Sequence, residues 1–279
     1  MNTQTGTFSW PLARSLASYA VEAYTRATVA DAKTNARALV TLNDDGDIVV
    51  AFKGSSTPRD FLQDAKFTMR RPDWSLDAFP ALIHAGFLED FTAIAEAVIE
   101  QIQDCLAKHP HAQLYVTGHS LGGALAILGA LEFHRQKLTV AGVYTFGQPR
   151  VGNSLFRVIH DLALRAVTYR IVNQNDLVPR TPGWLLGYRH CGQEIFLPAG
   201  QHGAGPGYWE DPSLVRKLWS DAIGLYGAYR HRDEVLITEH YMQSYCEVIG
   251  RQNRESGIQE PGARIRNSES SIKEQASSR

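Results

Sequence analysis

The chain has 279 residues, of which 44% are hydrophobic and 20% charged, and its formal net charge is -1. That length can bury a substantial core as one large domain or two small ones. The near-neutral balance excludes the strongly basic surface of a nucleic-acid binder or of a polybasic membrane-surface protein. The first twenty residues, MNTQTGTFSWPLARSLASYA, lack a basic stretch followed by an apolar one. No secretory signal is visible there, so the expected location is cytoplasmic, with non-classical secretion as the alternative. Leu12, Leu16, Tyr19, Ala20 and Ala23 recur at helical spacing and predict an amphipathic helix from about Pro11. Residues 37–42 and 48–52 read as strands joined by the turn Asn43-Asp44-Asp45-Gly46. Over 57–69, Phe61, Leu62, Ala65 and Met69 share one face of an expected surface helix or lid, with Arg59, Asp60, Gln63 and Lys66 largely opposite. A helical stripe then runs through Phe91, Ile94, Val98, Ile99, Ile102 and Leu106 until Pro110 ends it.

A strand over 113–117 precedes a helix from Leu121 rich in Ala and Leu. Residues 140–146 read as a strand, 155–164 as a helix, 167–172 as a strand, and about 238–249 as a last helix. Strands alternating with helices of this length predict an α/β domain with a largely parallel central sheet. The Gly- and Pro-rich stretch 198–212 reads as a surface loop, with Tyr208 and Trp209 adding aromatic mass. The expected domain is 1–250. From Arg251 to Arg279 only five residues are apolar, and the segment reads as a disordered polar tail. No stretch approaches 18 uninterrupted apolar residues, so no transmembrane segment is expected. The odd cysteines, Cys105, Cys191 and Cys246, form no C-x-x-C pair and suit reduced thiols better than a disulfide framework.

Chemistry concentrates at Gly118-His119-Ser120-Leu121-Gly122. G-x-S-x-G between a strand and a helix is the nucleophile-elbow pattern: a serine on a turn so tight that a Cβ on either glycine would collide. The pentapeptide alone recurs by chance in about one chain of this length in ten, so its partners decide. A serine nucleophile needs a base, and the base needs an orienting acid, in the chain order Ser, Asp or Glu, His. Asp176 follows the 167–172 strand, at the sheet edge where such sites assemble, although Asp is also an ordinary turn residue. His240, at the opening of the last helix, is the candidate base, and His231 is its rival. His109, His111, His134 and His160 lie on helix faces or ends and read as solvated.

Several motifs in one order resemble the class 3 lipases, the fungal-type triacylglycerol lipase family of α/β hydrolases, over roughly 38–249. They are Val49-Val50-Ala51-Phe52-Lys53-Gly54-Ser55, Asp60-Phe61-Leu62-Gln63-Asp64, Ile83-His84-Ala85-Gly86-Phe87 and the elbow itself. After it come the run from Thr145 to Asn153 (TFGQPRVGN), the segment from Val172 to Pro179, Tyr188-Arg189-His190-Cys191-Gly192, and His240-Tyr241-Met242-Gln243-Ser244-Tyr245. The resemblance implies an α/β-hydrolase fold with Ser120 as nucleophile, Asp176 as acid and His240 as base. It also implies an oxyanion hole from the Leu121 N–H and Ser55. Lys53 stands where Arg is common, Phe61 where Trp is usual, and Glu239 where Asp is frequent. His84, His119 and His190 sit in these motifs outside the triad and are expected to be structural.

The expected activity is hydrolysis of the carboxylic esters of acylglycerols through an acyl-enzyme. The alternatives are an esterase for soluble short-chain or aryl esters on the same scaffold, or a non-catalytic lipase-like binding protein. No metal or organic cofactor is expected, since no H-E-x-x-H or comparable ligand spacing occurs. Expected partners are a lipid or small ester substrate and transient lipid interfaces, with no nucleic acid; no oligomeric state is implied. Trp184, Leu185 and Leu186 are candidates for the border of an acyl groove.

Overall fold

A computed structural model of the protein describes residues 7–55, 68–78, 80–173, 176–197 and 240–255. Helix α1 (Trp10–Glu22) starts because Ser9 caps it, its hydroxyl accepting the Leu12 N–H, with Pro11 in the first turn. After the two-residue strand β1 (Val29–Ala30), β2 (Arg37–Leu42) and β3 (Ile48–Phe52) form the expected hairpin. Asn43 closes its turn by accepting the Asp45 and Asp47 N–H groups on its side chain, and Gly46 takes the left-handed conformation, φ 84°. Most of the 57–69 expectation lies outside the described residues. Its last residue, Met69, belongs not to a helix but to β4 (Met69–Arg70), which pairs with β5 (Ile83–His84).

Helix α2 (Ala85–Lys108) buries Phe87, Phe91, Ile94, Val98 and Ile102 on one stripe. Strand β6 (Leu114–His119) then feeds α3 (Leu121–Arg135), which is buried on nearly every side. Strand β7 (Val140–Phe146), α4 (Ser154–Leu164), β8 (Thr168–Asn173), β9 (Gln193–Leu197) and α5 (Met242–Glu255) complete the described chain. Helix α5 runs past residue 250, the expected end of the domain, to Glu255. The rest of the expected tail, 256–279, the loop 198–212 and His231 lie outside the described residues.

The main sheet has the order β1-β2-β3-β6-β7-β8-β9, antiparallel from β1 to β3 and parallel from β3 onward. Alternation along β3 divides the core. Ile48, Val50 and Phe52 face α2 and α3, whereas Val49 joins Leu16, Ala20, Tyr245 and Ile249 between the sheet and the helices α1 and α5. The result is an α/β-hydrolase arrangement in three layers, with β3, β6, β7 and β8 ending on one edge. No described helix is long and apolar enough to cross a membrane.

Candidate active site

Ser120 stands between β6 and α3 with φ 58° and ψ -127°, a strained conformation for a side chain other than glycine. Its N–H donates to the Phe146 carbonyl at 2.9 Å, and its own carbonyl accepts the Gly123 N–H at 2.9 Å. The flanking glycines are steric necessities. A Cβ on Gly118 would lie 2.2 Å from the Gly122 carbonyl oxygen, and one on Gly122 would lie 2.1 Å from that of Phe52. Ser120 is buried, and its Oγ has no hydrogen-bond partner among the described residues. Leu121 opens α3, whose N-terminus presents unsatisfied N–H groups and a partial positive charge beside the serine.

Asp176 follows β8 and is fully buried. A buried carboxylate is tolerable only where donors surround it, and three do. Val178 N–H donates to Oδ1 at 2.8 Å, while Oδ2 accepts from His240 Nδ1 at 2.8 Å and from the Tyr245 hydroxyl at 2.6 Å. The Tyr245 oxygen in turn accepts the Asn173 N–H at 3.1 Å. Because a carboxylate only accepts, Nδ1 of His240 carries the proton, and in the neutral ring Nε2 holds a free lone pair. That Nε2 is buried without a hydrogen-bond partner among the described residues. Gly147, just past β7 at φ 58°, leaves room for the pair: a Cβ there would lie 2.7 Å from Asp176 Oδ2 and 2.9 Å from His240 Cε1. His119 Nε2 lies 2.6 Å from the His240 carbonyl oxygen, joining the elbow to the histidine segment.

Ser55 is half-buried in the segment that leaves β3. Since Phe52 of β3 pairs with Gly118 of β6 in parallel, Ser55 and Ser120 emerge at the same edge of the sheet. Trp184–Leu186 forms one short 3-10 turn. Trp184 lies under the Arg189 guanidinium at 4.5 Å, and Leu185 and Leu186 are exposed.

The remaining histidines divide. His190 Nε2 bonds the Pro179 carbonyl at 2.7 Å, and His84 caps α2. His160, expected to be solvated, is instead fully buried: its helix face points inward against Phe156, with Nδ1 3.4 Å from Asp161. Ligand atoms of His160, Asp161 and Cys191 lie within 4.8 Å of one another. Arg157 and Arg165 both flank Asp161, Arg170 bonds the Cys191 carbonyl, and burial pushes the Cys191 thiol well up. The guanidiniums of Arg157, Arg165 and Arg170 crowd this cluster with positive charge, which opposes a cation there.

A family model for class 3 lipases matches residues 49–186. The chain belongs to this family. Among class 3 lipase relatives, a lipase from Rhizomucor miehei is 32% identical over 155 residues, covering 54% of this chain and 41% of that protein. The secreted mono- and diacylglycerol lipase 1 of Fusarium solani is 33% identical over 174 residues, covering 62% of this chain and 51% of that protein. The chain thus spans about half the length of these curated relatives. The crystal structure of a lipase from Rhizopus microsporus var. chinensis superposes with a TM-score of 0.61 at 27% identity, covering 68% of this chain and 76% of that one.

The relatives correct the expected cytoplasmic location. The Fusarium solani lipase is secreted by name. The expectation rested only on an unseen signal segment, which is no positive mark of a compartment.

Two neighbours of the site eluded the sequence. Tyr245 lies in the motif around His240, but its bond to Asp176 spans 69 residues. Tyr24, bonded to His119, carries no local signal at all.

Proposed function

We propose that this chain hydrolyses carboxylic esters of acylglycerols through an acyl-enzyme. Ser120 is the nucleophile, His240 the general base, Asp176 the orienting acid, and the Leu121 N–H and Ser55 the oxyanion donors. The observation that carries the reading is the buried Asp176–His240 pair, which presents a free Nε2 beside an elbow whose Ser120 Oγ is itself unbonded among the described residues. The serine oxygen attacks the ester carbonyl carbon while Nε2 takes its proton. The oxyanion draws on donors already in place, and the alcohol leaves with the proton from Nε2. Water repeats the steps on the acyl-serine, releasing the fatty acid and restoring the hydroxyl. The acylglycerol class is supported by the relatives, whose names specify lipases and mono- and diacylglycerols. The exposed Leu185 and Leu186 suit contact with an aggregated lipid.

The test measures rate against concentration for esters from acetyl to palmitoyl, with Ser120→Ala in parallel. Medium-chain glycerides should show a jump in rate past their solubility limit, and Ser120→Ala should lower kcat by about six orders of magnitude. A folded Ser120→Ala retaining a tenth of the activity would sink the mechanism. Smooth saturation with a preference for the shortest chains would assign a soluble esterase instead.

A further inference from the structure

His119 immediately precedes the proposed nucleophile, is buried, and takes no part in the steps above. Its two ring nitrogens are both engaged. Nε2 lies 2.6 Å from the His240 carbonyl oxygen and Nδ1 lies 3.1 Å from the Tyr24 hydroxyl. A carbonyl can only accept, so Nε2 carries the hydrogen. In a neutral ring Nδ1 is then an acceptor, and the Tyr24 O–H donates to it. Burial, reinforced by the neighbouring His240, holds the His119 pKa well below the usual histidine range, and burial pushes that of Tyr24 up. Both groups therefore keep these proton positions across ordinary pH. The His119 and His240 rings lie 4.6 Å apart at 31°. On its other side, Tyr24 meets the segment that leads to Ser55. The Gly54 backbone N–H faces the phenol oxygen, and a Cβ on Gly54 would lie 2.3 Å from it and 2.5 Å from the His119 carbonyl oxygen.

We infer that Tyr24 and His119 are positioning residues that lock the Ser55 segment and the His240 backbone to one another, through a bond from Tyr24 to His119 and another from His119 to the His240 carbonyl. The inference rests on the roles proposed above for Ser55 and His240. Catalysis of this kind depends on the base and the oxyanion donors being held in register, and a displacement of about 1 Å can cost on the order of 100-fold in rate. In a chain of bonds running one way, either end is fixed only while the middle is intact.

The test is steady-state hydrolysis of a soluble p-nitrophenyl ester by four variants. Tyr24→Phe, which keeps the ring and removes the hydroxyl, should lower kcat about 10-fold or more with KM within about twofold. His119→Phe keeps a ring beside His240 but no donor, and should lose at least as much. His119→Gln, whose amide both donates and accepts, should recover most of the rate. The double variant Tyr24→Phe/His119→Phe should be no slower than His119→Phe alone, because both break one chain. Tyr24→Phe at full kcat, additive losses in the double variant, or failure of Gln to outperform Phe would each overturn the inference. If His119→Phe does not fold, Tyr24→Phe and His119→Gln still decide. Ser120→Ala separates the two levels: an active Ser120→Ala refutes the catalytic reading, whereas an inert one beside a fully active Tyr24→Phe refutes only the lock.

Discussion

Replacing Ser55 with Ala removes one hydroxyl and little else, because the residue is only half-buried and its backbone leaves β3 toward the same sheet edge as Ser120. If that hydroxyl meets the developing oxyanion, it binds the transition state more strongly than the substrate. Ser55→Ala should then lower kcat by about 10²–10³ with little change in KM, while Ser55→Thr, which keeps the oxygen, should be milder. Steady-state kinetics of the two variants check this, and equal losses would indicate packing instead. At this scale the elbow was legible because steric necessity writes itself locally: only glycine fits at 118 and 122. Asp176 was legible only with its surrounding motif, since an isolated Asp after a strand resembles any turn acid. Tyr24 could not be read, because its partner lies 95 residues away and such a contact leaves no periodic trace.

Among the elements, the cap of α2 carries a pH dependence. His84 Nδ1 accepts the Phe87 N–H, its ring stacks on Phe87 at 4.1 Å, and its Nε2 is buried without a hydrogen-bond partner among the described residues. Burial lowers its pKa to about 4. Between that value and the ordinary value of about 6.5, the unfolded chain binds a proton that the folded chain refuses, so stability rises with pH across this window. Asp90 on the same helix acts oppositely. Burial, with Glu89 and Asp31 nearby, raises its pKa to about 6, so below that value the folded state holds a proton the unfolded chain releases more readily. His84→Asn keeps a capping acceptor without the titration. Its Tm should therefore fall less than that of the parent protein as the pH drops from about 6.5 to about 4.5. Parallel thermal-melt curves would refute this assignment. The strands Ile48–Phe52 and Val140–Phe146 match their sequence expectation because runs of β-branched and aromatic residues suit a strand buried on both faces. The inward face of His160 was misread because a polar side chain next to an aspartate looks solvated whichever way the helix turns.

Over the whole molecule, one face of the sheet is closed by the first and last described helices together. Leu16, Ala17 and Ala20 of α1 pack with Tyr245 and Ile249 of α5 against Val49, Phe146 and Ile171. Leu16 is fully enclosed there, so Leu16→Ala should cost about 2–5 kcal/mol in denaturant unfolding. A cost under about 1 kcal/mol would mean that the cavity collapses freely or that the α1–α5 seam is loose. The seam also bears on synthesis. A chain leaving the ribosome folds from its leading end, so the serine's turn emerges long before His240 and the helix that follows it. Until that helix seats against the first one, the nascent chain carries the proposed nucleophile without its proposed base, so on this reading the two can meet only after the seam between the helices has closed.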